Sequence, residues 1–400
     1  MERRLGASAL SDPKCAGGIE LHVARMTGLA ALTLGLLAVA GTFDCAGWLA
    51  QRLTDSGRRT SMQQVVESPG AHDISHGDDL LAAFARVRNP EQAPQALVIG
   101  NSQQYTASLP PNADASAFAP ASLTSDLLAA RIEADTGRKV QFYNAAAPNQ
   151  NLVEALWQGI YWAKVPTTPP RAILVQASFD MFRKGGIRAG FATLLRDPQF
   201  ARHVDIWAAA HSERAYAPLF ASQTRSDAGE PTIRVGESIQ ERVELAIREA
   251  ATALAVYRNR QQLRASLLGL LYTARVRLLG ISPTSRRHIT GAPYAQNIHA
   301  LEDLLAMLTE SGASVYLYNA PVNPKVAMFY AEEHRAYLDA IAAACVAPRC
   351  RFANLEHAVP ADEWGYWIDG PDPIHISEAG HRTLASALYQ AFGPHLLEAL

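Results

Sequence analysis

The sequence predicts an α/β domain of three layers, in which about five parallel strands form a sheet with helices on both faces. Short apolar runs alternate with longer segments of helical pattern from residue 96 to the end of the chain. Neighbouring apolar runs lack the short turn signals of a β-hairpin, so the strands are expected to run in parallel. Hydrophobic residues make up 48% of the 400 residues and supply a sizeable core.

Five short segments have the composition of strands in such a sheet. ALVIG (96–100) is an apolar run that ends in glycine, which is typical of a buried parallel strand. VQFYN (140–144), AILVQ (172–176), SVYLYN (314–319) and RFANL (351–355) follow it along the chain. We expect these strands to adopt the doubly wound, flavodoxin-like order.

Helices are predicted between the strands. One covers 124–136 and is ended by Gly137. Asn151 and Glu154 have the spacing of a capping box at the start of the next helix. Further helices are predicted at 297–311, 328–346 and 377–389.

Residues 185–290 interrupt the alternation. This stretch is too long for a simple crossover, so we expect an insertion with helices of its own. Its part 236–280 is rich in Ala, Leu, Arg and Glu. Within this part, the alternatives for LRASLLGLLYTARVRLLG (263–280) are a lid, a membrane-surface helix, a helix that docks a partner, or an amphipathic helix packed on its own domain.

The N-terminal segment predicts a membrane anchor. Residues 26–46 contain an uncharged apolar run long enough to cross a bilayer once, and Arg25 directly precedes it. We therefore expect a short cytoplasmic tail (1–25) and a chain that continues outside the cytoplasm. The competing interpretation is a cleaved signal, because residues 38–40 form an A-x-A site.

After the anchor, residues 47–93 are polar and contain several turn signals, so they are expected to form a stalk, and 94–400 the α/β domain. Cys345 and Cys350 are close enough to form a local disulfide, which suits an oxidising compartment; two free thiols are the alternative. The formal net charge of −2 gives no reason to expect nucleic-acid binding, and neither a metal nor an organic cofactor is predicted.

A candidate nucleophile follows the first strand. Ligands bind at the carboxyl ends of the strands in an open α/β sheet. Gly100 permits a sharp turn there, which would present Ser102 near a helix N-terminus. A serine that only caps the helix is the alternative.

The partners of a nucleophilic serine stand near the other end of the chain. In DPIH, Asp372 precedes His375 by three residues, so its carboxylate can accept the Nδ1–H of the imidazole and leave Nε2 free as a base. We predict that Ser102, Asp372 and His375 are catalytic. Asn319, after the fourth strand, is a candidate substrate contact or a turn cap before Pro321.

The order Ser…Asp-x-x-His in an α/β/α domain resembles the SGNH/GDSL hydrolase superfamily. GNSQ (100–103) is similar to its nucleophile block, and DPIH (372–375) to its Asp-x-x-His block. FYNAAAPNQN (142–151) is similar to the second block, where Asn149 replaces the usual Gly. The resemblance implies that backbone N–H groups of Ser102 and Asn149 form an oxyanion hole.

The third block departs from the pattern of the superfamily. In ILVQASFDMF (173–182), Phe179 stands where the resemblance implies an asparagine of the oxyanion hole. Asn149, Gln176 and Ser178 are the candidates for a substitute side chain.

The anchor and YNAPVNP (318–324) resemble a narrower group, the membrane-anchored SGNH-like partners of membrane-bound O-acyltransferases. Proteins of teichoic acid D-alanylation and alginate acetylation are the examples. The resemblance implies a bacterial inner-membrane protein with one span, whose periplasmic domain is a serine-dependent O-acyl esterase or O-acyltransferase for an acylated glycan at the cell surface or in export. The alternatives are a non-catalytic scaffold that docks the acyltransferase and a general lipase or thioesterase.

Overall fold

The structure is a computed structural model, and the part of it described here belongs to one compact unit made of Thr60–Thr232 and Arg275–Leu400. The predicted tail and anchor, most of the predicted stalk, and residues 236–280 lie outside this part. Within it, no helix is both long and apolar enough to cross a membrane. The described residues are 64–67, 96–104, 106–109, 123–147, 149–165, 169–228, 286–346, 348–367 and 370–400.

A parallel sheet of five strands forms the centre of the described unit, as predicted. The order across the sheet is β4 (Phe142–Asn144), β2 (Ala96–Ile99), β5 (Ala172–Ala177), β6 (Ser314–Asn319) and β7 (Cys350–Asn354), and each neighbouring pair is parallel. The chain therefore steps from β2 to one side and then to the other, which places the topological switch point at the carboxyl end of β2. The strands are β1 (Gln64–Glu67), β2 (Ala96–Ile99), β3 (Thr106–Leu109), β4 (Phe142–Asn144), β5 (Ala172–Ala177), β6 (Ser314–Asn319), β7 (Cys350–Asn354), β8 (Trp364–Trp367) and β9 (Gly370–Ile376).

Helices cover both faces of this sheet and give the three predicted layers. In β2, Leu97 and Ile99 point into a core shared with α2 (Leu152–Lys164) and α6 (Ala292–Glu310). Ala96 and Val98 point into a second core shared with α1 (Thr124–Thr136) and α8 (Glu378–Ala399). This burial on both faces explains why the strands are continuous apolar runs. The helices are α1 (Thr124–Thr136), α2 (Leu152–Lys164), α3 (Ala189–Ala192), α4 (Pro198–Ala210), α5 (Ala217–Ala228), α6 (Ala292–Glu310), α7 (Ala331–Ala344) and α8 (Glu378–Ala399).

The predicted capping signals are present. The Asn151 side chain accepts a hydrogen bond from the Glu154 N–H at 2.8 Å, and the Glu154 carboxylate accepts one from the Asn151 N–H at 3.3 Å. Glu154 is fully buried and also pairs with Arg188. Gly137 ends α1 with φ 70°, a conformation that glycine adopts without strain.

Two helices are longer than predicted. Helix α6 begins at Ala292 rather than 297, because Pro293 fits the first turn of a helix. Helix α8 continues past residue 389 to Ala399 although Pro394 lies within it. Phe392 and Leu396 are buried in the second core, and this packing outweighs the low helix propensity of the proline.

The described part of the predicted insertion is helical and packs on the domain. Helices α3, α4 and α5 lie within residues 185–228. Trp157 of α2 contacts Phe200 and Phe220, with ring centroids 5.5 Å and 5.0 Å apart. This first part of the insertion is therefore continuous with the core of the α/β unit.

Two antiparallel strand pairs were not predicted. Strand β1, from the segment predicted to be a stalk, pairs with β3, and β8 pairs with β9. Asp372 and His375 consequently lie on a strand, where a tight turn was expected. The predicted disulfide is present and joins Cys345, after α7, to Cys350 in β7.

Candidate active site

Ser102 lies at the switch point of the sheet. Strand β2 ends at Ile99, and Ser102 begins a single 3₁₀ turn that ends at Gln104. Ser102 is partly buried, and its carbonyl accepts a hydrogen bond from the Thr106 hydroxyl at 2.7 Å. The predicted nucleophile is therefore at the edge of the sheet where ligands bind in this class of fold.

The structure brings His375 and Asp372 to this serine. The Ser102 Oγ atom lies 3.2 Å from His375 Nε2, and His375 Nδ1 lies 2.9 Å from Asp372 Oδ2. A carboxylate can only accept here, so Nδ1 carries the proton and Nε2 is the free base. This is the geometry that activates a serine hydroxyl for attack on a carbonyl.

Asp372 is buried, with 1% of its side chain exposed. Burial alone would raise the pKa of its carboxyl group, but the attraction of the His375 ring and hydrogen bonds from the backbone of Ile374 and His375 outweigh it. The pKa of Asp372 is therefore lower than its ordinary value. The carboxylate is charged at neutral pH and stabilises a protonated His375.

Asn323 supports the acid–base strand, although the sequence analysis gave it no role. It is fully buried, and its side-chain amide donates a hydrogen bond to the Asp372 carbonyl at 2.8 Å. Its position just after β6 in YNAPVNP was the available signal, because polar side chains after parallel strands often serve a site.

Asn149 has a left-handed backbone conformation, which the sequence analysis did not predict. Its φ is 52°, and it is the one non-glycine residue with positive φ in the described part of the chain. Asparagine is among the side chains that tolerate this region best. The Ala147 N–H donates to the Gly100 carbonyl at 3.0 Å, so the chain before Asn149 runs alongside the turn that carries Ser102.

The backbone N–H groups of Ser102 and Asn149 are the two donors that the resemblance implies for an oxyanion. Within the described residues, neither donates a hydrogen bond to a protein acceptor. The side-chain carbonyl of Asn149 accepts a hydrogen bond from the Lys184 ammonium at 3.0 Å. This bond occupies the side-chain oxygen of Asn149 and leaves both its side-chain NH₂ group and its backbone N–H as candidate oxyanion donors.

Gln176 is not placed to contact a substrate. It is fully buried, its Oε1 accepts from the Asn101 N–H at 2.9 Å, and its Nε2 donates to Gln103 Oε1 at 2.6 Å. The predicted substitute role in the oxyanion hole is therefore not supported, because the amide is already committed to the protein.

Asn319 is also committed to protein partners. It is buried, donates to Asn354 Oδ1 at 2.9 Å and accepts from the Tyr337 hydroxyl at 2.8 Å. Its predicted contact with a substrate is not supported by this geometry. Ser178 is only partly buried, and its hydroxyl accepts from the Asn101 side chain at 2.6 Å.

Phe179 supplies no donor at the position where the resemblance implies an asparagine. Its side chain is buried and packs on Phe329, with ring centroids 4.2 Å apart. Among the described residues, the candidate donors of the oxyanion hole are the backbone N–H groups of Ser102 and Asn149, the side-chain amide of Asn149 and the hydroxyl of Ser178.

His381 is connected to the serine turn through Thr106 and has a structural role. It is fully buried, and its Nε2 donates to the Thr106 carbonyl at 2.9 Å, which leaves Nδ1 to accept from the Thr124 hydroxyl at 2.7 Å. Burial lowers the pKa of His381 to about 4, so the ring is neutral at neutral pH. The sequence analysis did not assign this residue to the site.

No protein-family model matches this chain, and a search of curated proteins also gave no match.

Proposed function

We propose that this protein is a serine-dependent O-acyl esterase or O-acyltransferase of the SGNH type. The observation that carries the proposal is the chain of contacts from Ser102 Oγ through His375 to Asp372, at the carboxyl edge of a parallel sheet. The sequence blocks around these residues support the assignment to the superfamily.

In the first half of the proposed reaction, His375 Nε2 takes the proton of Ser102 as Oγ attacks the carbonyl carbon of an ester. The tetrahedral oxyanion would accept hydrogen bonds from the backbone N–H groups of Ser102 and Asn149. The intermediate then collapses: the bond from carbon to the alcohol oxygen breaks, and that oxygen takes the proton from His375. An acyl-serine remains.

In the second half, His375 removes a proton from the acceptor, which attacks the acyl-serine. Water as acceptor releases a carboxylic acid, and a sugar hydroxyl gives a new ester. Ser102 recovers its proton from His375 in both cases. The same three residues serve both outcomes, so the acceptor decides between esterase and acyltransferase.

We further propose a periplasmic domain held at the bacterial inner membrane that acts on a polysaccharide with an O-acyltransferase partner. The apolar run at 26–43 and the resemblance of YNAPVNP support this part. The disulfide between Cys345 and Cys350 supports an oxidising compartment.

The test uses the chain from residue 47 onward, a chromogenic acetyl ester and a fluorophosphonate probe. We expect the probe to label Ser102, and we expect Ser102→Ala to abolish labelling and to lower turnover by about three orders of magnitude or more. Ser222→Ala is the matched control, since it removes an exposed hydroxyl on α5 that donates to the Leu219 carbonyl. Turnover that survives in the Ser102→Ala variant would refute the proposed nucleophile.

A non-catalytic docking role is the second candidate, and Phe179 favours it, because the third donor of the oxyanion hole is replaced by a buried ring. The two candidate functions predict different levels of surface acylation in cells that carry the Ser102→Ala variant. A scaffold with Ser102→Ala would still support surface acylation at the wild-type level, whereas an enzyme with this change would not.

A further inference from the structure

We propose that Gln103 is a positioning residue that sets the spacing between Ser102 and His375, through hydrogen bonds that cross from the serine turn to the acid–base strand. This inference rests on the proposed function for its kinetic consequences. Its structural content is separate: Gln103 holds two chain segments at the distance that a proton transfer between them requires.

Gln103 bonds directly to both sides of the site. It follows Ser102 in the chain, and its Nε2 donates to the Ile374 carbonyl at 2.9 Å and to the Pro321 carbonyl at 3.3 Å. Ile374 is the residue before His375. A single side chain therefore connects the neighbour of the nucleophile to the neighbour of the base.

The direction of these bonds is fixed by backbone groups at both ends. The Asn101 N–H can only donate, so the atom of Gln176 that faces it must be the oxygen Oε1. Gln176 Nε2 therefore donates to Gln103 Oε1. Gln103 Nε2 then faces two carbonyl oxygens, which can only accept. Only one orientation of the two amides satisfies every group.

The two amides have little freedom to rearrange. Gln103 is 2% exposed and Gln176 is fully buried, so water does not compete for their bonds. Gly100 is part of the same arrangement, because a Cβ atom there would lie 2.5 Å from Gln176 Oε1. Buried polar groups that lose their partners are costly, and this cost keeps the serine turn and β9 in register.

The discriminating variant is Gln103→Glu, which keeps the size of the side chain and replaces one donor by an acceptor. Its carboxylate would face the carbonyl oxygens of Ile374 and Pro321, and the repulsion would move β9 away from the turn. We expect kcat and the rate of fluorophosphonate labelling to fall about 100-fold with KM changed by less than about threefold, since a displacement of about 1 Å has this effect on a reacting pair.

A pH profile separates positioning from a general loss of structure. When the carboxyl group of the Gln103→Glu variant is protonated, its one O–H can donate to the Ile374 carbonyl and restore the bond. We therefore expect the activity of this variant, relative to wild type, to recover as the pH is lowered toward 5. Gln199→Glu makes the same chemical change on the exposed face of α4 and should keep wild-type kinetics at every pH.

A crystal structure of the Gln103→Glu variant gives a measurement that does not depend on activity. We expect the distance between Ser102 Oγ and His375 Nε2 to exceed hydrogen-bond length in the variant and to remain near 3.2 Å in the wild type. An unchanged distance, or kinetics equal to those of Gln199→Glu, would overturn the assignment. A wild-type protein that neither reacts with the probe nor turns over ester would refute the proposed function, and the crystallographic comparison would still decide the role of Gln103.

Discussion

One carboxylate, that of Asp372, holds both the backbone and the ring of His375. Its Oδ1 accepts the N–H groups of Ile374 and His375 at 2.8 Å and 3.0 Å, while Oδ2 lies 2.9 Å from His375 Nδ1. The residue that orients the ring therefore also shapes the strand segment that carries it.

The variant Asp372→Asn separates the backbone contacts of this carboxylate from its contact with the His375 ring. The Asn oxygen can still accept both N–H groups, so the fold should persist, but the Asn amide would donate to Nδ1. The ring would then carry its proton on Nε2 and could not accept the proton of Ser102. We expect kcat to fall by about 10³- to 10⁴-fold with little change in melting temperature. Esterase activity within about tenfold of wild type would argue against this role for Asp372.

Asn149 can be tested by two substitutions with opposite expectations. Asn149→Gly keeps access to positive φ and retains the backbone N–H, so fluorophosphonate labelling should stay near the wild-type rate. Asn149→Ala has to be forced into φ 52°, at a cost of about 1 kcal/mol, and should label more slowly. Equal losses in both variants would instead assign the role to the side-chain amide that Lys184 contacts.

Gly100→Ala should disturb the site through Gln176. The added methyl group would lie 2.5 Å from Gln176 Oε1 and 3.0 Å from Gln104 Cγ. We expect the free energy of unfolding to fall by about 1–3 kcal/mol and the labelling rate of Ser102 to fall with it. Gly137→Ala is the control: it strains the end of α1 at φ 70° with no neighbour within 4 Å. We expect Gly137→Ala to lose a comparable amount of stability and to keep the wild-type labelling rate of Ser102. Slower labelling in Gly137→Ala would show that a general loss of stability explains the effect of Gly100→Ala.

His381 predicts a loss of stability in mildly acidic solution. Its folded pKa of about 4 is below the ordinary value of 6.5, so the unfolded chain binds the proton first as the pH falls. The contribution of His381 to the free energy of unfolding is fully present above pH 6.5 and decreases toward pH 4. Between pH 7 and pH 5 the free energy of unfolding falls by about 2 kcal/mol for this reason. Denaturant unfolding at these two pH values measures it. A His381→Gln variant should lose this part of the pH dependence, and an unchanged slope would contradict the assignment.

The sequence predicted the sheet because its strands are buried on both faces, which leaves a continuous apolar run in each. It did not predict the pairing of β8 with β9, although Asp369-Gly370 is a turn signal, because Pro371 and Pro373 lie in the second strand and prolines disfavour a strand assignment. The two strands pair directly, and next to their open end the Ser377 N–H and hydroxyl both donate to the Glu363 carbonyl. Contacts of this kind leave no periodic pattern in a sequence.

In the candidate site too, the residues predicted from the sequence are those whose relations are local in the chain. Asp372 and His375 were found because their relation is local, and Ser102 because it follows a recognisable strand. Gln103 and Asn323 were missed because their partners are backbone carbonyls far away in the chain. Gln176 was considered as a donor to substrate, but the direction of its amide depends on Gln103, which only the folded arrangement reveals.

The contact between Ser102 and His375 joins residues 273 positions apart, and it closes only when β9 and α8 have taken their places. During synthesis from the N-terminus, Ser102 is therefore present long before His375, the base that would activate it. Contacts of such long range also form late and slowly when a domain folds. A fragment that starts before Ser102 and ends between Gln104 and His375 should contain the serine and yet be unable to react.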